Sequence, residues 1–431
     1  MNGIADSHPE IGETLAARRR TLTLLLLTLV YFFSYMDRYI LAILLELIKA
    51  DLHLSDAQLG MLSGLAFAVF YAGLGIPVAR LADRTNRRNI IAIALAIWSG
   101  MTALCGLAQN FVQLLAFRIG VGVGEAGSSP PSHSIIADLY PPEKRASAMA
   151  IYATGVVLGG GFGTMLGGTI AHYFGWRWAM ILVGIPGIIL AVVVRLFVVE
   201  PKRGMSDAQI AADQSPMPGA WSAFVGMWRN RAAFHLVMAV TITSLIGYAL
   251  TAFGPSYLQR SLGFSIQRVA LVVAPMAAII GGFSGIMGGR LADWVSKRYG
   301  LHAQSWMVAI LKCCALPFTL IFFLTDSPTV AIVAYGFQYL FASSYLGPTF
   351  ALIQGLAPIR VRAMWAAVTL LVINLIGLGL GPLAIGVISD ALRPSLGAES
   401  LRWAMVLMAG VTPWAIFHYW RAGVLLKRAA A

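Results

Sequence analysis

The chain has 431 residues, of which 58% are hydrophobic and 11% charged, with 31 Lys+Arg against 18 Asp+Glu and a net charge of +13. An average soluble domain is about 25% charged, so ionised groups this sparse cannot cover a globule of such length, and lipid must solvate most of the surface. The basic excess sits in short clusters between apolar runs, with no basic aromatic patch or reader motif, which argues against nucleic acid as a partner.

A membrane span needs about 20 apolar residues, and twelve such stretches follow one another along the chain. Residues 1–20 are polar and end in Arg18-Arg19-Arg20. The apolar run from Thr21 to Ile48 is too long for a signal-peptide core and lacks a small-residue cleavage pattern. It therefore reads as a first span. The remaining stretches of the first half fall near 56–82, 89–108, 111–138, 146–171 and 178–199. After a polar linker over 200–230 come 232–258, 267–292, 303–325, 328–354, 363–390 and 401–424. The expected organisation is thus a cytoplasmic segment 1–20, a six-helix half 21–199, a linker 200–230 and a second six-helix half 231–431. Within the linker, Trp221, Phe224, Val225 and Trp228 recur at helical spacing beside Arg229 and Arg231, which predicts a short interfacial helix.

Loop charges set the orientation. With the N-terminus inside, the cytoplasmic loops carry Arg84, Arg87, Arg88, Lys144, Arg145, Lys202, Arg203, Lys297, Arg298, Arg360 and Arg362, and the tail carries Lys427 and Arg428. The opposite loops are short and hold few basic residues. The positive-inside rule then puts both termini in the cytoplasm, for a bacterial chain at the inner membrane.

An internal repeat marks the two halves. Arg80-Leu81-Ala82-Asp83 ends the second stretch and Arg290-Leu291-Ala292-Asp293 ends the eighth. Parallel repeats of this kind build many secondary transporters.

The charges inside spans carry the chemistry. Asp37, in Tyr35-Met36-Asp37-Arg38-Tyr39, lies about 24 Å along a helix begun at Thr21, deep in a core of about 30 Å. A charge there costs about 2.5–3.5 kcal/mol on insertion scales, so it must face a cavity or a partner. A carboxylate whose charge depends on its surroundings is what a proton-coupled carrier requires. Arg118 and Glu125, seven residues apart in Arg118-Ile119-Gly120-Val121-Gly122-Val123-Gly124-Glu125, share one helix face about two turns apart. Asp37, Arg118 and Glu125 form the expected centre for proton coupling and substrate binding, with Arg118 pairing an acid or an anionic substrate group. A static ion pair between spans is the competing reading. Arg38, Tyr248, Gln338 and Asn374 are further cavity candidates, and for Tyr248, Gln338 and Asn374 a helix-to-helix hydrogen bond is the alternative. Cys105, Cys313 and Cys314 lie in apolar stretches without metal-ligand spacing. No nucleophile elbow, phosphate loop or zinc spacing suggests an enzyme, and no cofactor is expected beyond a coupling proton.

Ala79-Arg80-Leu81-Ala82-Asp83-Arg84-Thr85-Asn86-Arg87-Arg88 resembles the loop signature of the major facilitator superfamily, with Ala79 and Asn86 where glycine is usual. Together with Met36-Asp37-Arg38-Tyr39, the Arg118–Ala126 segment and Pro130-Pro131-Ser132 through Asp138, the chain is similar to the Spinster-like branch. The resemblance covers the first half and, more loosely, the second. It implies an all-α, twelve-helix transporter, working by alternating access. It also implies a proton-linked carrier of lysolipids or related anionic or zwitterionic amphiphiles, acting as a monomer. The alternatives are a proton symporter of small organic anions such as sugar acids, or a drug exporter. It further implies a cytoplasmic charge network latching the halves, built from Asp83, Arg80, Arg84 and Arg87, with Glu143, Arg145 and Asp293 as partners.

Overall fold

A backbone in hydrocarbon has no water to bond, so each apolar stretch satisfies its own N–H and C=O groups as a helix. In the computed structural model, which describes residues 9–203, 220–358 and 361–430, each of the twelve predicted stretches lies on helix, and no strand occurs among the described residues. The first stretch lies in α1 (Pro9–Leu52). α2 (Asp56–Gly60) continues through a π-helical turn, Met61–Leu65, into α3 (Ala66–Arg84), and α4 is Arg87–Cys105.

The predicted fourth stretch is interrupted. It forms α5 (Phe111–Glu125) and α6 (Ser129–Leu139), with Pro130 and Pro131 in the first turn of α6. Two prolines in succession cannot donate back to the preceding turn. The chain tightens instead, through Gly127 N–H to Gly124 O at 3.0 Å and Ser128 N–H to Glu125 O at 3.1 Å. Glu125 is thus the last residue before a break.

α7 runs over Pro142–Phe197 and covers the fifth and sixth stretches. Gly175 interrupts it with φ 84° and ψ 166°, a conformation that side chains with a Cβ rarely adopt. The chain continues through α8 (Ala220–Arg229), α9 (Arg231–Arg260) and α10 (Ile266–Arg268), then a π turn and α11 (Ala274–Tyr299). α12 is His302–Leu324, α13 Pro328–Ala342 and α14 Leu346–Leu356. α15 (Arg362–Val372) passes through a π-helical stretch, Ile373–Leu380, into α16 (Gly381–Leu396). α17 (Ser400–Ala409) and α18 (Thr412–Ala430) close the described chain. Among the described residues, nine helical segments are long and apolar enough to cross a membrane. Two of them, Ser147–Phe197 and Met364–Ala429, are each long enough for two crossings.

Two compact units form. The first takes Met1–Tyr39, Phe70–Gly163 and Arg177–Gln214; the second takes Ile40–Val69, Thr164–Trp176 and Ser215–Ala431. In the first, glycines at four-residue spacing bring α7 onto α1. A Cβ at Gly155 would lie 2.8 Å from Thr28 O, and one at Gly163 would lie 2.6 Å from Met36 O. Gly120 and Gly124 on α5, and Gly127 just beyond its end, abut Met101, Trp98 and Ala94 of α4 in the same way. Small residues let the backbones approach, which is the main source of packing energy between helices in lipid.

The second unit is built around α9, α12 and α18, whose buried Val237, Val240, Met307 and Tyr419 share one core with Ile353 and Trp365. α8 docks there as well, with Met227 fully buried and its sulfur 4.0 Å from Thr369 Oγ1.

Gly124 offers a direct test of the α4–α5 contact. A Cβ there would sit 2.7 Å from the Trp98 backbone nitrogen, whereas one on Gly73 meets nothing within 4 Å. Gly124→Ala is expected to cost about 1–3 kcal/mol by overpacking, read as a fall in thermal midpoint in detergent. Gly73→Ala is the control, and equal midpoints for the two variants would refute the contact.

Candidate functional site

Ser34, Asp37 and Arg38 occupy positions i, i+3 and i+4 of α1 and so share a face. Thr28, Phe32 and Met36 fill the α1 face turned to the α7 glycines. That division directs the polar face to α4 and α5, where it meets Thr102 and Glu125. Ser34 Oγ donates to Glu125 Oε2 at 2.7 Å. Arg38 donates to the same oxygen twice, from Nε at 2.9 Å and from Nη2 at 2.6 Å. The guanidinium also lies 5.0 Å from the Tyr35 ring centre and 4.8 Å from that of Tyr71. Asp37 receives a hydrogen bond from Thr102 Oγ1 at 3.0 Å.

Both carboxylates are 1% exposed and Arg118 is 3% exposed. Glu125 and Arg118 lie within electrostatic reach of Asp37. The two acids are held differently. Glu125 has a guanidinium and a hydroxyl on one oxygen, and Asp37 has a neutral hydroxyl. Asp37 Oδ1 and Glu125 Oε1 are buried without a hydrogen-bond partner. The geometry therefore brings the three predicted residues into one buried cluster and adds Arg38 as the direct partner of Glu125. Ser34 and Thr102 were not singled out from the sequence, because hydroxyl residues are common on helices and their partners come from other spans.

The other predicted residues are dispersed. Tyr248 is half-buried against the apolar core of the second unit, and Gln338 is half-buried on α13. Asn374 donates from Nδ2 to Leu370 O at 2.9 Å inside the π-helical stretch, a bond within its own helix.

Of the predicted latch, Arg87 is 1% exposed and makes the densest set of bonds. It pairs with Asp138, reaches Glu200 at 2.7 Å, and donates to Ser134 Oγ and Pro201 O, each at 2.8 Å. Arg145 donates to Ala137 O at 2.8 Å. These contacts lie within the first unit and join α4, α6 and the end of α7. Arg80, Arg84 and Asp293 are exposed. The side chains of Asp83 and Glu143, and residues 204–219 of the linker, lie outside the described residues.

A second charge cluster lies within the second unit. Asp56, fully buried, accepts from Arg260 at 2.8 and 3.0 Å, Arg393 at 2.9 Å, Ser389 at 2.6 Å and Lys49. Glu46 takes Arg260 Nη2 at 2.7 Å. Asp390 accepts the N–H groups of Asp56 and Ala57 at 3.0 and 2.7 Å, capping the start of α2. Lys49, Arg260 and Arg393 are among the few basic residues of the opposite loops. Lys49 is seven residues from Asp56, but Arg260 and Arg393 reach that acid from some 200 and 330 positions away.

With this geometry in hand, comparison with known proteins is decisive. The family model for the Major Facilitator Superfamily matches residues 27–311. The chain belongs to the major facilitator superfamily. Within that superfamily it is Spinster-like. It is 31% identical to a bacterial homologue of the human lysosomal transporter Spinster, whose crystal structure is inward-facing and unoccupied, with a TM-score of 0.85 over 98% of both chains. It is 30% identical to Protein spinster homolog 1 of Xenopus tropicalis over 88% of this chain and 76% of that one. It is also 33% identical to an MFS-type efflux pump of Mycolicibacterium smegmatis, over 93% of this chain and 92% of the relative. A hexuronate transporter of Bacillus subtilis is 29% identical over 62% of each chain. The superfamily member described above is thus an integral membrane transporter and not an enzyme, and its all-helical fold is that of the superfamily.

Proposed function

We propose that the chain is a proton-coupled secondary carrier working by alternating access on a lysolipid-like substrate with an anionic or zwitterionic head. Asp37, Arg118 and Glu125 form its coupling and substrate-binding centre. In this reading it sits in a bacterial inner membrane with both termini cytoplasmic and acts as a monomer.

The observation that carries the proposal is the environment of Asp37, a buried carboxylate whose described hydrogen bond is to a neutral hydroxyl. Glu125, by contrast, has the Arg38 guanidinium on one oxygen at 2.6 Å. A proton on Asp37 removes a charge that is costly to keep in a low-dielectric site. The centre holds two arginines and two acids, and protonating Asp37 leaves it one positive charge in excess. An acidic group on a substrate restores neutrality. Proton and substrate then raise each other's affinity by the same factor, because the linkage is reciprocal. That sign favours carrying them together in one direction.

Support for an amphiphile comes from the second unit. Apart from the Asp56 cluster, its buried charged side chains among the described residues reduce to Lys312. One cation in an otherwise apolar interior suits one acidic head and a hydrocarbon tail. The second reading, a symporter of small organic anions, is favoured by the hexuronate transporter among the relatives.

Flux into proteoliposomes of purified protein separates the readings, using lysophosphatidylglycerol and galacturonate at two pH values. Lipid flux that changes with a pH gradient is expected. Galacturonate as the sole transported species would install the second reading, and flux of both that ignores pH would reject coupling.

A further inference from the structure

The fourth span breaks in both predicted halves, whereas the break in the twelfth span, at Gly410 and Val411, has no counterpart in the sixth. α5 stops after Glu125, and α13 stops after Ala342, with Ser343, Ser344 and Tyr345 outside helix before α14 begins. Interrupted helices at corresponding positions of two repeats are the strongest structural pointer to a binding site in a transporter. In the first unit the break carries an acid matched by a guanidinium. In the second unit the break carries a cation.

Lys312 projects from the middle of α12 and is 7% exposed. Its Nζ donates to Ala342 O at 2.8 Å, the carbonyl that ends α13, and lies 4.4 Å from the centre of the Tyr345 ring. The Tyr345 hydroxyl lies 3.3 Å from Ser244 Oγ on α9. The other hydroxyls of the break are committed to backbone: Ser343 donates to Tyr339 O at 2.8 Å, and Ser344 donates to Ser284 O at 2.6 Å. No carboxylate among the described residues pairs with Lys312. An ammonium has three protons to donate, and one carbonyl and one ring face leave its charge without a counterion.

We infer that Lys312, with Tyr345 and Ser244, is a second-unit subsite for the acidic group of the transported molecule, which supplies the missing anion. The inference rests on the proposed acid-bearing substrate. Lys312 provides the charge, and the Tyr345 and Ser244 hydroxyls provide neutral donors beside it. The Tyr345 ring screens the ammonium when no substrate is bound, and the Ala342 carbonyl holds the side chain in place. A purely structural role, capping the C-terminus of α13, would require the charge for folding but not for recognition.

Binding to the full-length protein in detergent tests the subsite with two matched pairs of probes. They are lysophosphatidic acid against the monoacylglycerol of the same chain, and galacturonate against galactose. The wild type is expected to prefer the acid in one pair by at least about tenfold, the scale of one charged hydrogen bond. Lys312→Gln is expected to abolish that preference while leaving affinity for the uncharged partner unchanged, and Lys312→Arg to retain it. Tyr345→Phe, which keeps the ring, is expected to weaken acid binding by a smaller factor. A Lys312→Gln protein that keeps the full acid preference overturns the subsite and leaves the proposed substrate class standing. A wild type that prefers the acid in neither pair overturns both. If Lys312→Gln does not fold, the Lys312→Arg and Tyr345→Phe proteins decide, since equal acid preference in wild type and Tyr345→Phe rejects the subsite.

Discussion

Asp37→Asn is expected to abolish accumulation driven by a pH gradient while leaving substrate exchange intact. The wild-type side chain is buried and held by the Thr102 hydroxyl, and asparagine preserves its shape and can still accept that hydrogen bond. What is lost is a titratable group. In proteoliposomes, the wild type should concentrate substrate under a gradient of one polarity, and the variant should concentrate none under either polarity. Counterflow, which needs binding and alternation but no net proton movement, should persist in the variant. Gradient-driven accumulation by Asp37→Asn at the wild-type level would move the coupling proton to another group.

Glu125→Gln should damage the protein itself. Arg38, whose side chain is 13% exposed, has its guanidinium on Glu125 at 2.6 Å, and the same carboxylate oxygen serves Ser34. Removing one member of a buried ion pair leaves the other charge unmatched, at a cost of about 3–5 kcal/mol. The expected result is a lowered thermal midpoint and a reduced yield of folded protein. Combining Glu125→Gln with Arg38→Gln should recover much of the loss, since neither charge then lacks a partner. A double-mutant cycle measures this coupling directly. Additive losses would show that the two residues are not energetically paired. Ser34→Ala removes a neutral donor to an acid that keeps its guanidinium, so its effect should be far smaller.

The legibility of the site follows the same division. Asp37, Arg118 and Glu125 stood out in the sequence because any charge within an apolar run is anomalous, whatever its partner. The pairing was not readable. From spacing, Arg118 and Glu125 share a helix face, which made Arg118 the natural partner for an acid. The guanidinium found on Glu125 is that of Arg38, from another helix. The predicted loop network met a similar limit. Arg87 was marked as a charge in a signature loop, but its partners Asp138 and Glu200 belong to segments 51 and 113 residues away. Breaks in helices were not read: 111–138 and 328–354 each passed as one apolar stretch, although Pro130 and Pro131 stand in the first turn after one break and Pro348 in the first turn after the other.

By itself the sequence determined the class of the protein, the apolar stretches that become helix and the residues whose charge has no business in lipid. Those are local properties, set by hydropathy over some twenty residues and by the cost of an ion in hydrocarbon. Only the tertiary structure decided which charge meets which. Ion pairs and helix breaks such as Arg38 with Glu125, Asp56 with Arg260 and Arg393, and Lys312 at the end of α13 depend on helix rotation and close approach. Rotation and approach are set by small residues such as Gly124 and Gly163 acting against helices far away in the chain. No window of sequence contains both sides of such a contact.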